Sequence, residues 1–258
     1  MITSSANPKI KYIKRLQAER RFRQREGVFV VEGTRWVSEL VQWPSLVQMI
    51  LYTESWHTAV STPILPQLTA PLHLISDELM TQISDTQTPP GVLAVVKHQP
   101  RPLPERPSLL LILDAITNPG NLGAMLRTAA AAGVEGALLA PGCVDPTNPK
   151  VVRGGMGAHL RLPIHQLSWS EIGAITRGMD IWTAVIDSET DYTAVPWTQP
   201  SALIIGSEAH GVSQEAETLA NGRLTIPMHA ATESLTAAIA AAVILFEAAR
   251  QRRTNDKG

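Results

Sequence analysis

The sequence predicts an α/β protein in which a mostly parallel sheet, with helices on both faces, follows a smaller α/β unit. Three features lead there. Beyond residue 108, short and wholly apolar runs such as Leu109–Leu113 and Ala202–Ile205 alternate with stretches of helical periodicity. Strands buried on both faces of a parallel sheet read as continuous apolar runs rather than alternating ones. Ahead of them, Lys97–Pro107 contains four prolines and almost nothing apolar, which suits a semi-rigid connection better than a helix or central strand. Before that, shorter strands and helices alternate. The expected organisation is a first domain over residues 1–97, a proline-rich linker over 98–107 and a second domain over 108–258.

In the first domain, Asn7-Pro8 reads as an N-cap followed by proline at the first helical position. Ile10, Ile13 and Leu16 mark the apolar stripe of that helix, and Gly27 suits a helix terminus. Val28–Val31 is a short buried strand and Thr34–Val41 a helix. Further strands are expected near Met49–Tyr52, Leu72–Ile75 and Val92–Val96, with a short helix opened by Ser76. In the second domain, strand Leu109–Leu113 precedes a helix over Leu122–Ala132 that ends at Gly133, then strand Gly136–Ala140 and a helix near Asn148–Gly154. Ile181–Ile186 and Ala202–Ile205 are strands, followed by helix Glu215–Ala220 and strand Leu224–Ile226. The alanine-rich run Leu235–Arg250 closes the chain as a helix, with Ser234 as its N-cap; being nearly all small or apolar, it must be buried in the core or against another subunit.

Composition narrows the class. Hydrophobic content of 44% with 17% charge is that of a globular protein. No run approaches the roughly 18 apolar residues of a membrane span, and the N-terminus lacks a signal core. The single cysteine, Cys143, suits a small packing residue after a strand, in a reducing cytoplasm. No clustered His/Cys spacing suggests a metal site. The net charge of −1 speaks against indiscriminate nucleic-acid binding, but the distribution is uneven. Lys9, Lys11, Lys14, Arg15, Arg20, Arg21, Arg23, Arg25 and Arg35 face only Glu19, Glu26 and Glu32 in the first 35 residues. Such an excess reads either as a phosphate-facing surface or as a solvated helix face.

The residues that could carry chemistry lie in three segments. In the first, the loop after strand Leu109–Leu113 carries Asn118, Gly120 and Asn121, with Arg127 on the helix behind it. Loops at the carboxyl ends of parallel strands are where α/β proteins place their sites. An arginine in an otherwise apolar helix requires a partner, either a ligand phosphate or a tying carboxylate such as Asp114 or Glu208. In the second, Gly206-Ser-Glu-Ala-His-Gly211 follows strand Ala202–Ile205, and its glycines permit a sharp turn and close backbone approach. Neither a Walker loop nor a GxGxxG fingerprint is present. Glu208 could hold Arg127, orient a ribose or cap a helix, and His210 reads as a surface residue. In the third, Ile226-Pro-Met228 leads through Glu233 to Ser234-Leu235-Thr236 at the head of the last helix, whose N-terminus offers free N–H groups.

Together these segments resemble the three motifs of the SpoU/TrmH class of RNA ribose 2'-O-methyltransferases, the SPOUT enzymes, over nearly all of Leu109–Arg250. Ser5-Ala-Asn-Pro-Lys-Ile-Lys and Phe29-Val-Val-Glu-Gly-Thr-Arg35 are similar to the L30e-like substrate-binding domain of rRNA-directed members. The resemblance implies a carboxyl-terminal trefoil knot, S-adenosylmethionine bound among the knot loops, and a homodimer. It places Arg127 at the catalytic arginine, with Asn121, Glu208 and Ser234 beside it, and the cofactor against Gly206, Ile226, Met228, Leu235 and Thr236. One position departs from the family: Thr236 stands where an asparagine is usual.

The implied reaction is methylation of a ribose 2'-hydroxyl, most naturally in 23S (large-subunit) rRNA; a tRNA substrate is the alternative. Guanidinium groups keep their proton in proteins, so Arg127 is expected to stabilise developing alkoxide charge and bind a flanking phosphate rather than act as a base. Candidate RNA contacts are Arg21, Arg25, Arg35, Lys150 and Arg153. Two readings from other classes remain: a catalytically idle knotted RNA-binding protein, for which only Thr236 speaks, and a Rossmann oxidoreductase, disfavoured by the missing glycine fingerprint.

Overall fold

The computed structural model describes residues 1–60, 64–229 and 234–255. In chain order the first elements are α1 (Pro8–Ala18), α2 (Arg20–Glu26), β1 (Val28–Glu32), α3 (Thr34–Leu40), β2 (Val47–Tyr52), α4 (Glu54–Ala59), β3 (Leu72–Leu74), α5 (Asp77–Ile83) and β4 (Val92–Lys97). They are followed by β5 (Leu109–Leu113), α6 (Pro119–Ala132), β6 (Gly136–Leu139), α7 (Pro149–Gly155), α8 (Ala158–Arg161), β7 (Ile164–Gln166) and α9 (Trp169–Ile175). The chain closes with β8 (Asp180–Ala184), β9 (Ser201–Ile205), α10 (Gln214–Leu219), β10 (Gly222–Leu224) and α11 (Ala237–Asn255). Two compact units result: Met1–Gln99 together with Thr147–Gly157, and Pro100–Pro146 together with Ala158–Gly258. Residues 98–108 form no helix or strand.

The first unit is built on a four-stranded sheet of order β1-β4-β2-β3, antiparallel except for the β2–β3 pair. Ile10, Ile13 and Leu16 of α1 are fully buried against Val30, Leu51 and Val95 of this sheet, as the apolar stripe requires. The Asn7 side chain accepts from the Lys9 N–H, and Gly27 ends α2 in the left-handed region at φ 63°. Where the sequence suggested one helix up to Gly27, there are two, broken at Glu19 (φ −109°, ψ 109°). The cause is Arg23. Its guanidinium, on a side chain only 4% exposed, donates to the carbonyls of Leu16 (2.8 Å) and Gln17 (3.1 Å), which end α1 without helical partners. Its Nε reaches Thr147 Oγ1 at 3.3 Å, fixing the start of the segment that carries α7. A charge that the sequence counted toward the basic surface is thus an internal clamp.

The other basic positions divide. Arg21 and Arg35 are exposed and form no hydrogen bond or ion pair among the described residues, and Lys150 is exposed behind the Asn148 cap of α7. Arg25 pairs with Glu26 at 3.0 Å and lies 4.9 Å from the centre of the Phe22 ring, which also holds Arg15 at 4.1 Å. Arg153 donates to both the carbonyl and the carboxylate of Asp85, each at 2.8 Å.

The second unit holds a six-stranded sheet of order β10-β8-β9-β5-β6-β7, parallel at every pairing. The two central strands, β5 and β9, are buried at all positions, which explains their uninterrupted apolar sequence. Leu110, Ile112, Ile181 and Ile204 pack with Ile172 of α9 and Ala216 of α10. Helices α6 and α11 pack on each other. α11 buries Ala241, Ile244, Leu245 and Ala248, while Ile239 (50%) and Phe246 (46%) stay exposed.

Helix α6 begins at Pro119 rather than Leu122, so Gly120 and Asn121, expected in the loop, lie in its first turn. Three boundaries nearer the end of the chain also differ from those the sequence suggested. Helix α11 begins at Ala237, and its cap is Thr236 rather than Ser234: the Thr236 hydroxyl accepts from Ile239 N–H and its carbonyl from Ala240 N–H. The strand expected over Leu224–Ile226 is displaced to Gly222–Leu224, and the one expected to reach Ile186 ends at Ala184. The sequence also gave no sign of α4, α8, β7 or α9, although Ser168 and Glu171 form a complete capping box at the start of α9. Glu233 lies outside the described residues.

Replacing Arg23 by methionine is expected to lower stability by about 1–3 kcal/mol, the usual cost of leaving buried acceptors without a donor. Urea denaturation measures it; a change below about 0.5 kcal/mol would show that the end of α1 does not depend on this side chain.

Candidate active site

The carboxyl ends of β5, β8, β9 and β10 converge in the second unit, and their loops build the site. After β5, the Asp114 side chain is 2% exposed and accepts from the Ser213 N–H at 2.6 Å, fastening the loop that follows β9 to the end of β5. Ala115 takes a left-handed φ of 51°, which costs an L-residue about 1–2 kcal/mol. The turn is held beneath by Cys143, whose Sγ accepts from Ile116 N–H (3.4 Å) and whose thiol donates to Leu113 O (3.2 Å). Burial pushes the Cys143 thiol up to about 11, so it is an inert structural donor at neutral pH. Asn118 then caps α6, accepting from the N–H groups of Gly120 and Asn121.

The loop after β9 closes on itself. Ser207 and Gly211 exchange backbone hydrogen bonds of 2.8 and 2.9 Å, and Ser207 Oγ accepts from His210 N–H. Gly206 makes this possible: a Cβ there would lie 2.3 Å from the Gly211 carbonyl oxygen. The closed loop presents Glu208, whose Oε1 accepts from Asn121 Nδ2 at 2.6 Å and from the Ala237 N–H at 3.2 Å. One carboxylate oxygen therefore joins the head of α6, the β9 loop and the head of α11.

Beside this junction opens a cavity of about 590 Å³, bounded by the ends of β8, β9 and β10 and by the first two turns of α11. Its size falls within the range of roughly 300–1,000 Å³ usual for small-molecule sites. Of the residues singled out in the sequence, Gly206, Glu208, Ile226, Met228, Ser234, Leu235 and Thr236 all line it, and Asn121 reaches it through Glu208. Arg127 does not line it. It lies exposed on α6, with no hydrogen bond or ion pair among the described residues; neither Asp114 nor Glu208 ties it down. His210 is exposed and outside the cavity lining.

Residues 108–246 match the SpoU rRNA Methylase family, and residues 7–94 match the MRM3-like substrate binding domain. The chain belongs to the SpoU methylase family. An uncharacterized tRNA/rRNA methyltransferase of Synechocystis is 33% identical over 97% of this chain and 94% of its own length. A 23S rRNA (uridine(2479)-2'-O)-methyltransferase of Streptomyces viridochromogenes is 32% identical over 96% of this chain and 92% of its own. Among solved structures, the SpoU methyltransferase AviRb from Streptomyces viridochromogenes in complex with AdoMet superimposes with a TM-score of 0.83, at 28% identity, over 96% of this chain and 100% of that one.

The cavity is large enough for a nucleoside-sized ligand. The wall at Gly206 has no room for a side chain, and Ile226, Met228 and Leu235 supply apolar surface. Two charged lining residues were not anticipated from the sequence. Asp187 follows β8 and Arg223 lies in β10. The rule that sites gather at strand carboxyl ends points to Asp187, which directly follows the strand expected over Ile181–Ile186. Among the described residues no group of three or more His, Cys, Asp and Glu side chains could hold a metal ion.

Gly206→Ala is expected to prise the β9 loop apart and to abolish slow exchange of the Ser207 and Gly211 amides. Hydrogen exchange read residue by residue tests this. Amides that stayed protected would mean that the loop shifts to admit a methyl group and that glycine is not required.

Proposed function

We infer that this chain transfers a methyl group from S-adenosylmethionine to a ribose 2'-hydroxyl of RNA, and that the RNA is 23S (large-subunit) rRNA. The observation that carries the reading is the junction at Glu208 beside a backbone-walled cavity, with an unpaired arginine on the adjoining helix. The substrate assignment is supported by the rRNA-directed Streptomyces relative, matched along nearly the whole of both chains. It is supported too by the first-unit match to a substrate binding domain.

Gly206, Ile226, Met228, Leu235 and Thr236 would hold the cofactor, which supplies an electrophilic methyl group on a cationic sulfur. Ser234 and Glu208 line the same cavity, where Glu208 fixes Asn121 and the head of α11. Arg127, without a partner among the described residues, binds an RNA phosphate and stabilises negative charge gathering on the ribose oxygen. The fork of its guanidinium suits both tasks. Arg21 and Arg35 offer unpaired charge for flanking phosphates, with Lys150 and Arg25 beside them. Arg153 is engaged by Asp85 and acts chiefly to hold α7. RNA ribose is reached in unstacked, splayed nucleotides rather than through a groove.

The same reading includes a trefoil knot at the carboxyl end, a cytoplasmic location suited to a buried free thiol, and a homodimer. The exposed Ile239 and Phe246 of α11 supply an apolar stripe for the dimer. No helix among the described residues is long and apolar enough to cross a membrane.

Methyl transfer from labelled S-adenosylmethionine to unmodified rRNA or tRNA tests the function. Arg127→Ala should lower the rate by about 10²–10³-fold, as loss of a charge-stabilising donor does, while cofactor affinity holds because Arg127 is outside the cavity lining. Labelling of tRNA alone would overturn the substrate assignment, and full activity in Arg127→Ala would remove its role. Phe246→Glu should yield monomers in sedimentation experiments; an unchanged sedimentation coefficient would place any dimer interface elsewhere.

A further inference from the structure

Among the described residues the cavity wall carries three charged ones, and two have protein partners. Glu208 gives Oε1 to Asn121 and to the Ala237 N–H, and Arg223 lies 3.7 Å from Glu217. The third, Asp187, forms no hydrogen bond or ion pair among the described residues. It is nevertheless held in place by its neighbours. Ile186 O accepts from the Thr225 hydroxyl at 2.9 Å, and the Ser188 hydroxyl donates to Arg223 O at 2.8 Å. Val185 N–H donates to Leu224 O at 2.9 Å. The backbone on either side of Asp187 is thus pinned to β10 and the residue after it, while the carboxylate stays unpaired. Counting Asp187, Glu208 and Arg223, the described lining residues carry a net charge of −1.

We propose that Asp187 is a specificity-determining residue that favours the cationic methyl donor over its neutral demethylated product. This rests on the S-adenosylmethionine reading given above. The donor carries a sulfonium, an ammonium and a carboxylate, for a net charge of +1. The product has lost the sulfonium charge and is neutral overall, yet it keeps the adenosine and the amino-acid groups. Every backbone and apolar contact of the cavity is available to both molecules. The carboxylate of Asp187, on a backbone pinned at both sides, can distinguish them: its attraction for the sulfonium exists only with the donor, whereas the opposite charges of the shared amino-acid group offset one another in both. The effect is modest, since Asp187 is exposed and solvent screens it. Its consequence is directional: the product is released more readily than the donor, which limits product inhibition.

Calorimetric titration of the full chain with S-adenosylmethionine and, separately, with S-adenosylhomocysteine tests the proposal without any turnover. Asp187→Asn should weaken donor binding by roughly two- to fivefold, as expected for one exposed charge interaction, and leave product binding unchanged. That unchanged value also reports that the cavity is still folded. Asp187→Glu should preserve the preference, and added salt should narrow the donor–product gap in the unmodified chain but not in Asp187→Asn. Equal weakening of both ligands would overturn the proposal and make Asp187 a neutral hydrogen-bond acceptor for the shared adenosine. No change in either affinity would overturn it as well, placing the carboxylate out of reach. A chain that binds neither molecule before mutation would instead overturn the cofactor reading on which the proposal rests.

Discussion

One oxygen atom ties together the elements around the second unit's cavity. Glu208 Oε1 receives the Asn121 amide and the Ala237 N–H, so the positions of α6, the β9 loop and α11 are set by a single acceptor. A carboxylate suits this junction better than an amide would. Ionised, it is an acceptor only and presents no donor to repel the two N–H groups that converge on it. The bond to the first N–H of α11 also places negative charge at a helix N-terminus, where the aligned peptide dipoles favour it. The cavity beside the junction inherits its shape from that arrangement, because the ends of β9 and α11 form adjacent walls.

The junction depends in turn on how tightly the strand ends are laced beneath it. Asp114 fastens the β9 loop through Ser213, Cys143 supports the turn at Ile116, and Ala115 is held in a left-handed conformation between them. A non-glycine residue persists in that region only when its surroundings determine it. Here they do: the Asp114 N–H is already committed to Ile205 O, and Ile116 O accepts from the Val144 N–H. The strain at Ala115 is local, and the hydrogen bonds on both sides of it join β5, β6 and β9 into one rigid platform.

How much of this the sequence disclosed varies with the physics involved. Uninterrupted apolar runs at Leu109–Leu113 and Ala202–Ile205 reveal central parallel strands, because burial on both faces leaves no polar alternation. Asn7 and Gly27 announce helix ends, since capping is a local interaction between neighbours in the chain. The cavity-lining residues were also legible, as Gly206, Glu208 and Thr236 stand where strands stop. Arg23 was not. Nothing in the run Arg20–Glu26 distinguishes the arginine that turns inward to meet Leu16 and Gln17 from those that face water, because the distinction arises only after α1 and α2 fold back on each other. Short edge strands such as β7 were missed for a related reason. With three residues and one neighbour, β7 has too little burial to leave a pattern.

The departure at Thr236 bears on whether the site is a working one. The Thr236 hydroxyl accepts from Ile239 N–H and its carbonyl from Ala240 N–H, which is the work of an N-cap. Asparagine and threonine both perform it, through one side-chain oxygen, with threonine only somewhat weaker. The exchange therefore preserves the start of α11, and with it the N–H that Glu208 captures at Ala237. What it removes is an amide donor on the cavity wall. The contacts proposed at Gly206, Ile226 and Leu235 do not draw on it. The reading of an idle RNA-binding scaffold leaned on this one position, whereas Asn121 and Glu208 remain joined and Arg127 remains unpaired. An arginine with no carboxylate partner among the described residues is not tying elements of the fold together there, which favours a reacting site over a scaffold.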